Sequence, residues 1–147
     1  MGKQRNQGLE LELQGDLWRG ARASASYTYN DARITASLEP AIKVGARAEM
    51  TPRQRASVWL DQALADGFSI GIGVLASSDQ YALSDNTVRL PGYARADAAL
   101  NYRLHQYEVK LKINNIANTR FHESAINNVQ IQPGAPRSVN LTLSSRF

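Results

Sequence analysis

Cysteine is absent from the 147 residues, which removes disulfide frameworks, thiolate metal sites and cysteine nucleophiles from consideration. No run approaches the 18 or so consecutive apolar residues of a transmembrane helix. The opening residues, Met1-Gly2-Lys3-Gln4-Arg5-Asn6, carry no apolar core behind their basic side chains, so no secretory signal is expected there. Charge is not massed either: the net +4 comes from lysines and arginines scattered singly, and no nucleic-acid partner is expected. Taken at face value, these absences describe a soluble protein. One class escapes that inference, the membrane β-barrels, whose strands alternate apolar and polar residues and leave no hydropathy peak.

Period-two alternation is what the sequence does contain, and helical periodicity is missing. Leu9, Leu11 and Leu13 alternate with Glu10, Glu12 and Gln14. After a turn near Trp18-Arg19-Gly20, Ala21, Ala23, Ala25, Tyr27 and Tyr29 alternate with Arg22, Ser24, Ser26, Thr28 and Asn30. A less regular segment runs from about Arg53 to Leu64, and Ala65-Asp66-Gly67 supplies an Asp-Gly hairpin signal. Phe68, Ile70, Ile72, Val74 and Ala76 follow on one face, with Leu75 breaking the rule on the other. Ala94 to Leu104 and Tyr107 to Asn114 repeat the alternation on either side of a tight turn at His105-Gln106. Val139, Leu141, Leu143 and Phe147 close the chain.

The pattern predicts an all-β fold of about seven long antiparallel strands. Strands of soluble sandwiches run about 5–6 residues, whereas a tilted strand crossing a bilayer needs about 9–11. The connections also alternate. Very short turns join strands one to two, three to four and five to six, and longer segments lie at 31–52, 78–90 and 119–137. Short periplasmic turns and longer extracellular loops characterise outer-membrane barrels. A two-residue turn at His105-Gln106 places Glu108 opposite Arg103 and Asn114 opposite Asp97, pairs that suit a wide lumen better than the alternative, a solvated sheet surface.

Several segments then resemble one family. Pro133-Gly134-Ala135-Pro136-Arg137 followed by a strand ending in Phe147 resembles the C-terminus of TonB-dependent ferric-siderophore receptors. Leu90-Pro91-Gly92-Tyr93 with Asp97 is similar to the family's L-P-G-Y-x-x-x-D segment, and Asn114-Asn115-Ile116-Ala117-Asn118 with Arg120-Phe121 to its N-N-L-x-D-x-x-Y/F element. Gln7-Gly8-Leu9-Glu10-Leu11-Glu12 matches a G-x-E-x-E strand opening, and Thr51-Pro52-Arg53 with Ser57 and Trp59 a T-P-x-x-x-x-S-x-W stretch. Ala117-Asn118 and Phe121-His122 depart from it, standing where an acidic residue and paired tyrosines are common.

The resemblance implies that residues 1–147 are the C-terminal portion of a transmembrane β-barrel of about 22 strands. In the intact receptor the lumen holds an N-terminal plug domain, and nothing in this sequence resembles it. A truncated reading of a longer gene, not itself a transporter, is therefore the expectation. The implied function is uptake of ferric siderophores across the outer membrane of a Gram-negative cell. Its partners are the siderophore, TonB through the missing N-terminal part, outer-membrane lipid and the barrel assembly machinery, which would read Phe147. No cofactor and no enzymatic activity are implied. A small self-contained outer-membrane barrel serving as anchor or adhesion module is the competing reading. A lipocalin-like binder and a surface enzyme have less support.

No catalytic constellation appears. His105 and His122 lie apart in a turn and a loop, a poor metal pair. Asp61 and Asp66 lack calcium-loop spacing, and no nucleophile elbow is present. Gly71 and Gly73 read as strand-interior gaps or as close approach to a plug. Tyr27, Tyr29, Tyr102 and Tyr107 fall on lipid-facing positions and fit an interfacial girdle better than ligand contact. Tyr81, Arg89, Tyr93, Arg120 and Phe121 lie in or beside the extracellular loops. Each singly reads as loop packing; together, aromatic faces and guanidinium groups suit capture of a bulky anionic chelate.

Overall fold

The computed structural model describes residues 2–146 and consists of strands, turns and loops. In chain order the strands are β1 (Lys3–Trp18), β2 (Ala21–Ala36), β3 (Gln54–Ala63), β4 (Phe68–Ser77), β5 (Gln80–Tyr81), β6 (Arg89–Leu90), β7 (Tyr93–Leu104), β8 (Tyr107–Asn114), β9 (His122–Ala125), β10 (Ile131–Pro133) and β11 (Ser138–Ser145). Seven form one antiparallel sheet in the order β1-β2-β3-β4-β7-β8-β11. The short pairs β5-β6 and β9-β10 are hairpins inside the long connections.

Register carries the alternation across the whole sheet. Leu11 pairs with Tyr27, Ala25 with Val58, Val58 with Val74, Ile70 with Leu100, Leu100 with Leu111 and Leu111 with Leu141. Paired residues share a face, so one side of the sheet is apolar from β1 to β11. Its side chains are exposed, Leu13, Val58, Ile72 and Leu141 among them. A contiguous apolar surface of this extent is stable against lipid and not against water. The chain thus has an outward, lipid-facing face and an inward, polar one.

The outward face is edged with aromatics. At the short-turn end Phe68 stacks on Tyr102, with ring centroids 4.2 Å apart. Tyr107 pairs with Leu104 beside them, and Trp18 donates its indole N–H to Gln62 Oε1 at 2.7 Å. Tyr27 and Tyr29 lie toward the other end. This is the expected girdle, with Trp18 and Phe68 added to it.

The turns follow their sequence chemistry. Asp66 and Gly67 both have positive φ, 58° and 79°. Phe68 N–H bonds to Ala65 carbonyl at 3.2 Å, the geometry of a type I′ hairpin. The segment read as irregular, Arg53 to Leu64, is a regular strand whose outward positions are Ala56, Val58 and Leu60.

Two expectations change. β2 runs to Ala36, six residues beyond the expected Asn30, because its ladder with β1 continues through Gln7↔Asp31 to Lys3↔Ala36, and an Arg33–Arg47 bridge flanks its other edge. The β7–β8 ladder keeps the expected register through Arg103↔Glu108 but ends at Ala98↔Ile113, one pair short of Asp97 and Asn114, and Asp97 Oδ1 accepts the Asn115 N–H at 2.7 Å. Gly71 and Gly73 are strand-interior positions on the inward face, and the Trp59 indole of the neighbouring strand covers both. Phe147 lies outside the described residues. Among those residues, β1 and β11 each pair on one side only.

Candidate functional site

The three long connections, 37–53, 78–92 and 115–137, gather at one end of the sheet and are tied to one another. Asp79 is the first tie. It accepts from Arg47 Nη1 at 2.9 Å and from Arg89 Nε at 3.0 Å. Arg47 also donates Nη2 to the Asp79 carbonyl at 2.7 Å and sits 5.2 Å above the Tyr81 ring. The Arg89 hydrogen bond, joined by Arg47, holds the Asp79 carboxyl below the ordinary carboxylate range against partial burial, and Asp79 in turn raises Arg89. Asn86 meets the Arg47 backbone twice, accepting its N–H at 2.8 Å and donating to its carbonyl at 2.9 Å.

A second set of ties joins 78–92 to 115–137. Asn128 Nδ2 donates to Asp85 Oδ2 at 2.7 Å and to Thr87 Oγ1 at 2.9 Å, and Gln80 donates to the Glu123 carbonyl at 3.2 Å. The Thr87 backbone N–H, then Asn128, lowers the Asp85 carboxyl. These bonds make the loop ends a braced surface rather than three free segments.

Asn115 anchors the third loop to the barrel. Only 1% of it is exposed, and its φ is 52°, a conformation Asn tolerates better than most residues. Its side chain donates to the Thr119 and Ala135 carbonyls at 2.9 and 3.1 Å and accepts the Thr119 N–H at 2.9 Å. Phe121, 6% exposed, stacks on Tyr93 with centroids 4.1 Å apart and planes at 20°. Its ring covers Gly134 so closely that no side chain fits there.

The five sequence-predicted contact residues therefore fall in three places. Tyr81 and Arg89 belong to the Asp79 cluster. Tyr93 and Phe121 form a packed stack that joins the barrel wall to the third loop. Arg120 is exposed on the rim of a cavity of about 550 Å3 that Asn118, His122, Pro133 and Pro136 also line. Sequence reasoning missed Arg47, Asp79 and Asn115 as organisers. Asn115 lay within the Asn114-Asn115 element, but nothing in the sequence pairs Arg47 with Asp79. His122, set aside as a metal ligand, is brought to the Arg120 cavity.

Chemically, the cavity offers a guanidinium, an imidazole and proline surface, with no general acid–base pair facing a nucleophile. It can bind and orient an anion bearing apolar parts. The inward wall below carries Trp59 with its N–H on Asp61 at 2.8 Å, and the Arg103–Glu108 pair at 3.2 Å.

The profile of the family described as TonB dependent receptor-like, beta-barrel, matches residues 1–116. The "Ferrioxamine receptor" of Yersinia enterocolitica is 29% identical over 99% of this chain and 21% of its own length. The "Ferrichrome outer membrane transporter/phage receptor" of Escherichia coli K12 is 28% identical over 99% of the chain and 20% of its own. The crystal structure of the siderophore receptor PiuA from Acinetobacter baumannii superimposes with a TM-score of 0.83 at 25% identity, over 99% of this chain and 22% of that one. The chain spans about a fifth of the length of these relatives.

Proposed function

The chain belongs to the TonB-dependent receptor-like β-barrel family, and on that premise we propose that residues 1–147 are the C-terminal portion of the barrel domain of a receptor that takes up ferric siderophores. The barrel lies in the outer membrane. The observation that carries the transport reading is a single one. The whole chain aligns with receptors named for ferrioxamine and ferrichrome, and its sheet keeps the lipid-facing and lumen-facing positions such a wall requires.

In this reading the seven strands are a sector of wall, and upstream strands complete the barrel by pairing with β1 and β11. An open edge cannot face lipid, because unsatisfied backbone groups there cost several kcal/mol each. The braced loops face the medium and present Arg120, His122 and the Asp79 cluster to an arriving ferric chelate. Negative charge on the chelate favours the guanidinium groups, while the Tyr93–Phe121 stack fixes the loop that carries Arg120. TonB supplies the energy through the part of the receptor upstream of this chain. No bond in the cargo is made or broken, so the protein is a transporter and not an enzyme. Phe147 serves the barrel assembly machinery as its recognition residue.

The test uses the full-length protein in an iron-starved host lacking its other siderophore receptors. Accumulation of radio-iron from ferrioxamine, ferrichrome or a ferric catecholate, abolished when TonB is deleted, is the expected result. A full-length barrel that reaches the outer membrane and accumulates none of a panel of ferric chelates would overturn the reading.

A further inference from the structure

β1 is longer than a membrane crossing needs. It has 16 residues, Lys3–Trp18, all of them exposed, against the roughly 9–11 of a tilted bilayer-crossing strand. Leu9 pairs with Tyr29 of the outward girdle, and the ladder continues above it to Lys3↔Ala36. Lys3 lies six residues before Leu9, roughly 20 Å along the strand and roughly 15 Å along the membrane normal at a tilt of 35–45°. The start of β1 therefore stands in the medium, clear of the hydrocarbon. Beside it opens a cleft of about 370 Å3, lined by Gly2 and Gln4 from β1, Ile34 and Ala36 from β2, and Leu38 and Ile42 from the first long connection. Leu38 is 80% exposed, and it is not on a trailing segment. Ser37 Oγ accepts the Glu39 N–H at 3.0 Å, the Ile42 N–H bonds to the Glu39 carbonyl at 3.0 Å, and the Gly45 N–H to the Ile34 carbonyl at 2.8 Å. A hydrogen-bonded turn thus holds an apolar side chain out over an apolar cleft.

The course of the chain identifies what fills it. Short turns and long connections alternate along the sheet, and β1 meets β2 through the short turn between Trp18 and Ala21. The connection that precedes β1 is therefore of the long, extracellular kind, and it reaches the sheet at Gly2, on the lip of the cleft. The chain spans about a fifth of its relatives' length, which leaves ample sequence to supply that connection. We propose that the cleft seats the extracellular connection immediately upstream of β1, which lays a large apolar side chain against Leu38 and Ile42. The upstream loop is thereby fixed to the same braced surface that Arg47, Asp79 and Asn128 hold together. This rests on the reading of the chain as the C-terminal portion of a longer barrel and not on its cargo.

The experiment takes the full-length receptor, purified in mild detergent, with Leu38→Cys as the probe, since these 147 residues contain no cysteine. The wild type gives the background. Labelling by a water-soluble maleimide is expected to run about tenfold slower, or more, than in the same variant with its upstream connection replaced by a short turn. Equal rates overturn the proposal: fast in both means an open cleft, and slow in both means that a second copy or a bound lipid covers it. If the shortened receptor fails to assemble, Leu38→Asp decides. A carboxylate in the seat expels the apolar side chain, and added protease is expected to cut the upstream connection about tenfold sooner than in wild type. Cleavage at the wild-type rate overturns the proposal as well. A full-length product no heavier than this chain overturns both the seat and the reading it rests on, whereas an unprotected Leu38→Cys in a heavier receptor overturns the seat alone.

Discussion

The Trp59 indole lies across Gly73 on the lumenal face, its ring occupying the space that a β-carbon on Gly73 would need. The two residues are paired across β3 and β4. A second glycine two residues away, Gly71, extends the bare strip; a β-carbon there would lie 2.6 Å from Trp59 Cζ2. The indole N–H is anchored on Asp61 Oδ2 at 2.8 Å. An aromatic on one strand thus supplies the packing that glycines on the next strand lack.

Gly73→Val removes that seat. The branched side chain collides with the indole, and we predict a loss of about 1–3 kcal/mol, read as a lower temperature for the heat-induced mobility shift of the full-length barrel on gels. Adding Trp59→Ala should restore most of the loss, because the clash then has no second partner. Additive losses in the double variant would show that the two residues do not meet.

How much of this was legible in the sequence differs by element. The strands were, because a lipid face on one side and a polar lumen on the other force a period of two, and Leu9 to Leu13 or Phe68 to Ala76 display it directly. β2 beyond Asn30 was not, since Asp31-Ala32-Arg33 breaks the apolar alternation just where the strand leaves the membrane. The glycines at 71 and 73 became interpretable only through register, which places Trp59 above them. The loop site was half legible. Composition marked Tyr81, Arg89, Tyr93, Arg120 and Phe121, but not that Phe121 is buried against Gly134 or that Asp79 answers Arg47. Those contacts join residues far apart in the chain, and no local pattern encodes them.

Asn115 carries the next prediction. Asn115→Ala strips the Thr119 N–H and the Thr119 and Ala135 carbonyls of their side-chain partner, each loss costing about 1–3 kcal/mol where water cannot enter. The loop from 116 to 137 should become the first site of protease cleavage in the variant, with the seven-strand wall intact. Unchanged cleavage would mean the loop is held by other contacts, chiefly the Tyr93–Phe121 stack.

Asp79 makes a pH prediction whose sign follows from its lowered carboxyl. Since the folded-state value lies below the ordinary 3.8, the Arg89 and Arg47 contacts contribute fully above that value and fade as pH falls through the lowered one. Amide hydrogens in 45–50 and 79–90 should therefore keep their protection from neutral pH down to the ordinary carboxylate range and lose it only in stronger acid. Asp79→Asn at neutral pH should reproduce the acid behaviour, and protection independent of both pH and this substitution would show that the cluster does not brace the loops.

The five loop residues can be separated by a pair of substitutions in the full-length receptor. Arg120 is exposed on the cavity rim and makes no side-chain hydrogen bond or ion pair among the described residues, so Arg120→Ala should weaken binding of an anionic ferric chelate about tenfold, the worth of one charge-assisted contact, and leave the thermal transition unmoved. Phe121 is buried, so Phe121→Ala should lower stability by about 3 kcal/mol and weaken binding only as a consequence of loosening the loop. Phe121→Tyr keeps the ring stacked on Tyr93 and should restore both. If Arg120→Ala leaves affinity unchanged while Phe121→Ala abolishes it with stability intact, the ring itself contacts the chelate and the assignment of packing and contact roles is reversed.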